Sequence, residues 1–94
     1  MAIEKLSSTL DAFGDRIKYE TSKRGSKHIT TLYGLQGYVG KIEFDASSKM
    51  ATYYDERDNE INQGMFRSVN STEIENQHIP KLLLAMKSDD LFGF

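Results

Sequence analysis

Apolar and polar residues alternate through most of this chain, and the alternation changes period only near its two ends. From Arg16 to Ser22, Ile17, Tyr19 and Thr21 fall on one face while Arg16, Lys18 and Glu20 fall on the other. That period of two marks a strand with one face buried. Lys23-Arg24-Gly25-Ser26-Lys27 reads as a hairpin turn, because Gly-Ser between polar residues permits the positive φ such loops need. His28 to Leu35 returns as a second strand, with Ile29, Thr31, Tyr33 and Leu35 sharing a face. Gly34, Gly37 and Gly40 then interrupt the pattern, as glycines do at bulges, sharp bends or close backbone approaches. Ile42 and Phe44 restart it, with Lys41 and Glu43 opposite, and Asp45 to Ser48 makes a turn. Met50, Thr52 and Tyr54 alternate with Ala51 and Tyr53 in a further strand. Asp55 to Glu60 packs five charges and an Asn into six positions, which suits a solvated turn, and strand character resumes from Met65 to Val69.

The ends carry a helical period. Ile3, Leu6, Leu10 and Phe13 form one stripe of an amphipathic helix that Gly14 would terminate, with a strand or a flexible arm as alternatives. Thr72 and Glu75 have capping-box spacing and predict a helix over 71–91. Pro80 either kinks this helix or starts a new segment after His78, because proline removes one backbone bond and crowds the preceding turn. Leu82, Leu83, Leu84 and Met86 cover more than one helix face, so this helix needs a second partner besides its own sheet.

The pattern therefore predicts one α+β domain over residues 1–94. Residues 1–14 are a short helix or arm, 15–70 an antiparallel sheet of four to five strands, 71–91 a helix and 92–94 a tail. No repeat or linker divides it.

Composition narrows the function classes. With no cysteine, the 94-residue chain carries neither a disulfide framework nor a thiolate metal site, which fits a reducing compartment. No apolar run has the length of a membrane span, and the first fourteen residues lack a signal-peptide core, so a cytoplasmic location is expected. The net charge of −2 is unevenly spread: residues 1–50 hold eight Lys/Arg against six Asp/Glu, and residues 51–94 four against eight. Lys23, Arg24, Lys27 and His28 form the one local basic concentration.

Catalytic chemistry finds no foothold, and no enzyme, cofactor or metal is expected. His28 reads as a strand or turn residue and His78 as a partly buried helix residue. The cluster Asp55, Glu56, Asp58, Glu60 lacks calcium-loop spacing and its central glycine. Two features point elsewhere. Basic residues interleave with aromatics on strands, the combination that binds single-stranded nucleic acid through phosphate contacts and base stacking. Those expected at such an interface are Lys18, Tyr19, Lys23, Arg24, Lys27, His28, Tyr33, Lys41, Tyr53 and Arg67. The end of the chain, with Asp89, Asp90, Phe92 and Phe94, is similar to the acidic tips with which bacterial and phage single-stranded DNA-binding proteins reach replication and repair partners. The alternative for this tail is simple packing on the core or on a second subunit.

The segment from Ala51 to Leu91 resembles the positive cofactor four family of transcriptional coactivators, including its bacterial and phage members. Asp58-Asn59-Glu60 would be the family's acidic turn, Gly64 its strand-opening glycine, and Ser68-Val69-Asn70 its run into the helix. Met65 and Phe66 stand where the family has Lys and Arg. The resemblance implies a curved four-stranded antiparallel sheet and one helix, dimerising through the helices. Ile79, Leu82, Leu83 and Met86 would form that dimer contact. It also implies single-stranded DNA bound across the sheet, with phosphate contacts from Lys18 to His28, Lys41 and Arg67. The competing expectation is a small protein-binding module, such as a phage inhibitor of a host enzyme, using the apolar helix and the acidic tail.

Overall fold

The structure, a computed structural model, describes residues 3–10, 14–35, 37–67 and 70–92. It is an α+β arrangement: one antiparallel sheet of six strands in sequential order, then a C-terminal helix. The strands are β1 (Ile3–Leu10), β2 (Arg16–Arg24), β3 (Lys27–Gly34), β4 (Gly37–Asp45), β5 (Met50–Tyr54) and β6 (Glu60–Met65). The alternation predicted for β2, β4 and β5 is present. Ile17 and Tyr19, Ile42 and Phe44, and Ala51 and Tyr53 are buried, while their neighbours lie on the open face.

Several expectations need correction. The N-terminal stripe is strand β1, not a helix, paired with β2 from Ile3↔Thr21 to Leu10↔Arg16. A register shift lies between Leu6 and Leu10. Leu6 falls opposite Lys18 and Leu10 opposite Arg16, on either side of that shift. Phe13 lies outside the described residues, and Gly14, at φ +83, belongs to a connection between strands. In β3 the buried residues are Thr30 and Leu32, so Ile29, Thr31 and Tyr33 share the open face. The last strand runs over Glu60–Met65, earlier than expected, and Gly64 is its penultimate residue.

The early start of β6 follows from the turn before it. One carboxylate oxygen of Asp55 accepts the backbone N–H groups of Arg57 and Asn59, both at 2.9 Å, and Asp58 takes φ +61. The chain reverses within Asp55–Asn59, as the acidic stretch foretold, and pairing resumes at once.

Gly25 supplies a positive φ of +61 to the β2–β3 turn. Gly40 is needed for a different reason. A Cβ built there would lie 2.5 Å from the Tyr54 carbonyl oxygen, so the crossing of β4 and β5 excludes any side chain. It sits beside the β3–β4 register shift between Leu32 and Tyr33.

The helix begins at Asn70, whose side-chain oxygen accepts the Glu73 N–H at 2.9 Å while its amide reaches the Glu73 carboxylate at 3.3 Å. The reciprocal cap is thus Asn70/Glu73, not Thr72/Glu75. An α-turn (α1, Ser71–Glu73) passes into a π-segment (Ile74–His78) and then into α2 (Ile79–Phe92). Pro80 is the second residue of α2. In π register the Glu75 carbonyl would take the N–H of residue 80, which proline lacks. The Thr9 hydroxyl donates to that carbonyl instead, at a long 3.4 Å.

The helix covers the core face. Ile74, His78, Ile79 and Leu82 are buried against Ile17, Tyr19, Leu32, Ile42, Phe44, Ala51 and Tyr53. Glu75 touches β1, and Lys81, six residues on, lies beside Gly64 of β6. Six helical residues rise roughly 9 Å. Five interstrand spacings in a flat sheet span roughly 24 Å. The sheet therefore curls around the helix, bringing both edge strands to it. No helix of the described residues is long and apolar enough to cross a membrane.

Candidate nucleic-acid interface

Because the strands follow one another in sequence, successive turns fall at opposite ends of the sheet. This sorts the charges. The β2–β3 turn, the β4–β5 turn and the end of β6 share one rim, and contiguous backbone contacts join them. Arg24 pairs with Lys27, Lys27 with Asp45, Asp45 with Met50, and Met50 with Met65. The Ala46 N–H donates to the Ser26 carbonyl at 2.8 Å, and the Phe66 N–H to the Lys49 carbonyl at 2.9 Å. Lys23, Arg24, Lys27, Lys49 and Arg67 all lie exposed on this rim. Its one strand carboxylate, Asp45, accepts the Ser47 N–H at 3.0 Å and the Ser47 hydroxyl at 2.7 Å. These hydrogen bonds hold the Asp45 carboxyl below its ordinary pKa. At the opposite rim lie Asp15, Asp55, Glu56, Asp58 and Glu60, with Arg16 and Arg57.

The open face connects the rims. Lys18 pairs with Tyr33 and Tyr33 with Tyr38, making one row; Thr31, Lys41 and Tyr54 make the next. These tyrosines are half-buried and their tips meet carboxylates. The Tyr33 hydroxyl donates to Glu20 at 3.2 Å and that of Tyr38 to Asp58 at 2.8 Å. Burial, then the Asp58 contact, raises the Tyr38 pKa; burial, then Glu43, raises that of Tyr54. The Lys41 ammonium lies 5.0 Å from the Tyr54 ring centre, 3.8 Å from Glu43 and 3.9 Å from Asp58. Such partly exposed pairs add little stability, but they set carboxylates among the cations of this face.

Of the expected interface residues, Lys18, Arg24, Lys27, Tyr33 and Lys41 share the open face. Lys23 and His28 pair on the other face at the basic rim, where His28 meets Phe44 edge-on at 6.1 Å. Arg67 joins that rim just beyond β6. Tyr19 and Tyr53 are corrected: they are 1% and 0% exposed, so neither ring has a face to offer a base. The Tyr53 hydroxyl instead meets His78 Nδ1 at 2.8 Å, and burial raises its pKa. His78 is fully buried, deeper than expected, with its ring centre 4.4 Å from that of Phe66.

Two of the expected dimer residues are also corrected. Ile79 and Leu82 are wholly buried in the chain's own core, and Leu83 and Met86 pack partly against it. A curled sheet wraps more of the helix than a flat one, which covers part of the wide apolar arc. Among the described side chains of the helix, Leu84, at 65% exposed, is the large apolar one left outside. The side-chain contacts of Asp89, Asp90 and Phe92, and all of Phe94, lie outside the described residues. Sequence reasoning missed Lys49, because a lone lysine in a turn gives no signal until the strand order brings it beside Arg67 and the first hairpin. Among the described residues, no three His, Asp or Glu side chains converge as metal ligands.

No protein-family model, curated protein or solved structure matches this chain.

Proposed function

We propose that the protein binds single-stranded DNA non-catalytically and with little sequence preference, along the open sheet face and onto the basic rim. The observation that carries this reading is the segregation of charge. Five Lys/Arg from three separate segments meet at one rim, while acidic groups dominate the other. Lys18, Lys41 and the half-exposed Tyr33, Tyr38 and Tyr54 lie on the same open face toward the acidic rim, with Ser22, Ile29, Glu43 and Thr52 between them and the basic rim, and offer further cations and aromatic faces to a strand crossing the sheet. Glu20 and Glu43 on the same face keep the binding modest.

A titration with a labelled oligonucleotide at several salt concentrations tests it. Four phosphate contacts would lower affinity roughly 50-fold between 50 and 200 mM salt, from a slope of about −0.7 per phosphate. No binding at low salt, or no change in K23A/R24A/K27A, would sink the proposal. A strand-adding protein partner is the second reading. It is favoured by Leu6 and Leu10, 53% and 51% exposed on the edge strand β1.

A further inference from the structure

Beside the open face, where the β4–β5 turn meets the end of β6, Lys49, Met65, Phe66 and Arg67 wall a pocket of about 390 Å³. The pocket is open and shallow, and its volume lies toward the low end of small-molecule sites. The geometry points to this pocket as a site for a nucleoside phosphate, the base against Met65 and Phe66 and the phosphate between Lys49 and Arg67. The inference deepens the proposed function and rests on it for the biological source of the ligand.

The pocket is built, not incidental. The hydrogen bond from the Phe66 N–H to the Lys49 carbonyl clamps its two sides together. The Phe66 ring is fixed from behind by His78 at 4.4 Å and by Tyr53 at 6.3 Å and a right angle. The Lys81 ammonium, 4.8 Å from the Phe66 ring centre, adds positive potential. Gly64 leaves it room, since a Cβ there would come within 3.1 Å of Lys81 Nζ. Met65 stands 69% exposed, a large apolar side chain open to a ligand. Lys49 holds φ +61 in the β4–β5 turn, a backbone conformation that favours Gly and Asn.

The charges and the apolar walls select the ligand together. A bare inorganic anion would use Lys49 and Arg67 but waste Met65 and Phe66. A neutral aromatic would leave two cations unmatched. A nucleoside phosphate satisfies both, as a free nucleotide or as the terminal residue of a strand.

Backbone amide NMR with deoxyadenosine 5′-monophosphate, deoxyadenosine and inorganic phosphate tests the site. The expected result is perturbation centred on Lys49, Met65, Phe66 and Arg67, with the nucleotide bound at least tenfold more tightly than either fragment. K49N/R67Q should abolish that binding while its thermal midpoint shows it folded, asparagine being well suited to a positive φ. K23A/R24A/K27A should keep it while losing oligonucleotide affinity. Equal responses to nucleotide and fragments, perturbations elsewhere, or unchanged binding by K49N/R67Q would overturn the inference. If the pocket fails while wild-type chain still binds an octamer, this site alone falls. If the octamer fails while the nucleotide binds, the strand-binding proposal falls instead. An octamer with and without a 5′-phosphate separates the sources: tighter binding of the phosphorylated strand marks a strand terminus, equal binding a free nucleotide.

Discussion

The Tyr53 hydroxyl and His78 Nδ1 lie 2.8 Å apart in the core, both residues fully buried, joining the middle of β5 to the end of the π-segment. Tyr53→Phe keeps the ring and removes this bond. The expected cost is about 1–3 kcal/mol, the range for leaving a buried polar group without its partner. Urea unfolding reads it as a lower midpoint at unchanged slope; a loss below about 0.5 kcal/mol would mean the pair contributes packing alone.

Gly40 and Gly64 should answer differently to the same substitution. Gly40→Ala drives a methyl against the Tyr54 carbonyl oxygen, which is backbone and can move only by parting β4 from β5. A loss of about 1–3 kcal/mol is expected from such overpacking. At Gly64 the nearest atoms are Lys81 Nζ and the Phe66 ring edge at 3.1 and 3.3 Å, and the lysine end can swing away. Paired thermal melts should show the first variant clearly less stable than the second.

The Thr9–Glu75 contact should depend on Pro80. Thr9→Val removes the donor and should cost about 0.5–1.5 kcal/mol. In a Pro80→Ala background the new N–H of residue 80 can take the Glu75 carbonyl, so the same change should cost less. A double-mutant cycle measures the difference; additive effects would show that the hydroxyl does not stand in for the missing helix donor.

Alkaline pH should expose the tyrosines of the face and core. Tyr38, Tyr53 and Tyr54 all have raised pKa values, chiefly through burial. A phenol held neutral in the fold contributes stability fully present below its unfolded pKa near 10 and lost as pH rises through the higher folded value. Absorbance titration should therefore show these three ionising late or together with alkaline unfolding. Tyr53→Phe should remove one late-titrating group.

The carboxylates on the open face should weaken polyanion binding. Glu20→Gln with Glu43→Gln removes two negative charges beside Tyr33 and Lys41, so oligonucleotide affinity should rise severalfold at low salt. An unchanged affinity would place the ligand elsewhere.

Much of the sheet was legible from alternation, because β2, β4 and β5 each bury one face and so write a period of two. β1 was not, since Ile3, Leu6, Leu10 and Phe13 stand at offsets of 0, 3, 7 and 10 and imitate a helical stripe. β6 was displaced, because an edge strand reading Glu-Ile-Asn-Gln-Gly-Met has little apolar signal and the more apolar Met65–Phe66 drew attention beyond it. At the site, the cations of the first hairpin were visible as a cluster. The burial of Tyr19 and Tyr53 was not, because an aromatic on a strand looks the same whether its face is inward or open. Lys49 and Arg67 became neighbours only through strand order.

Net charge is a poor descriptor of a molecule built this way. Its two rims stand a strand length apart, roughly 26 Å for the nine residues of β2, whereas ionic screening decays over about 8 Å at physiological salt. A charged surface touching one end therefore does not sense the other. At neutral pH this anionic protein should adhere to cation-exchange and anion-exchange resins alike, turning a different end to each.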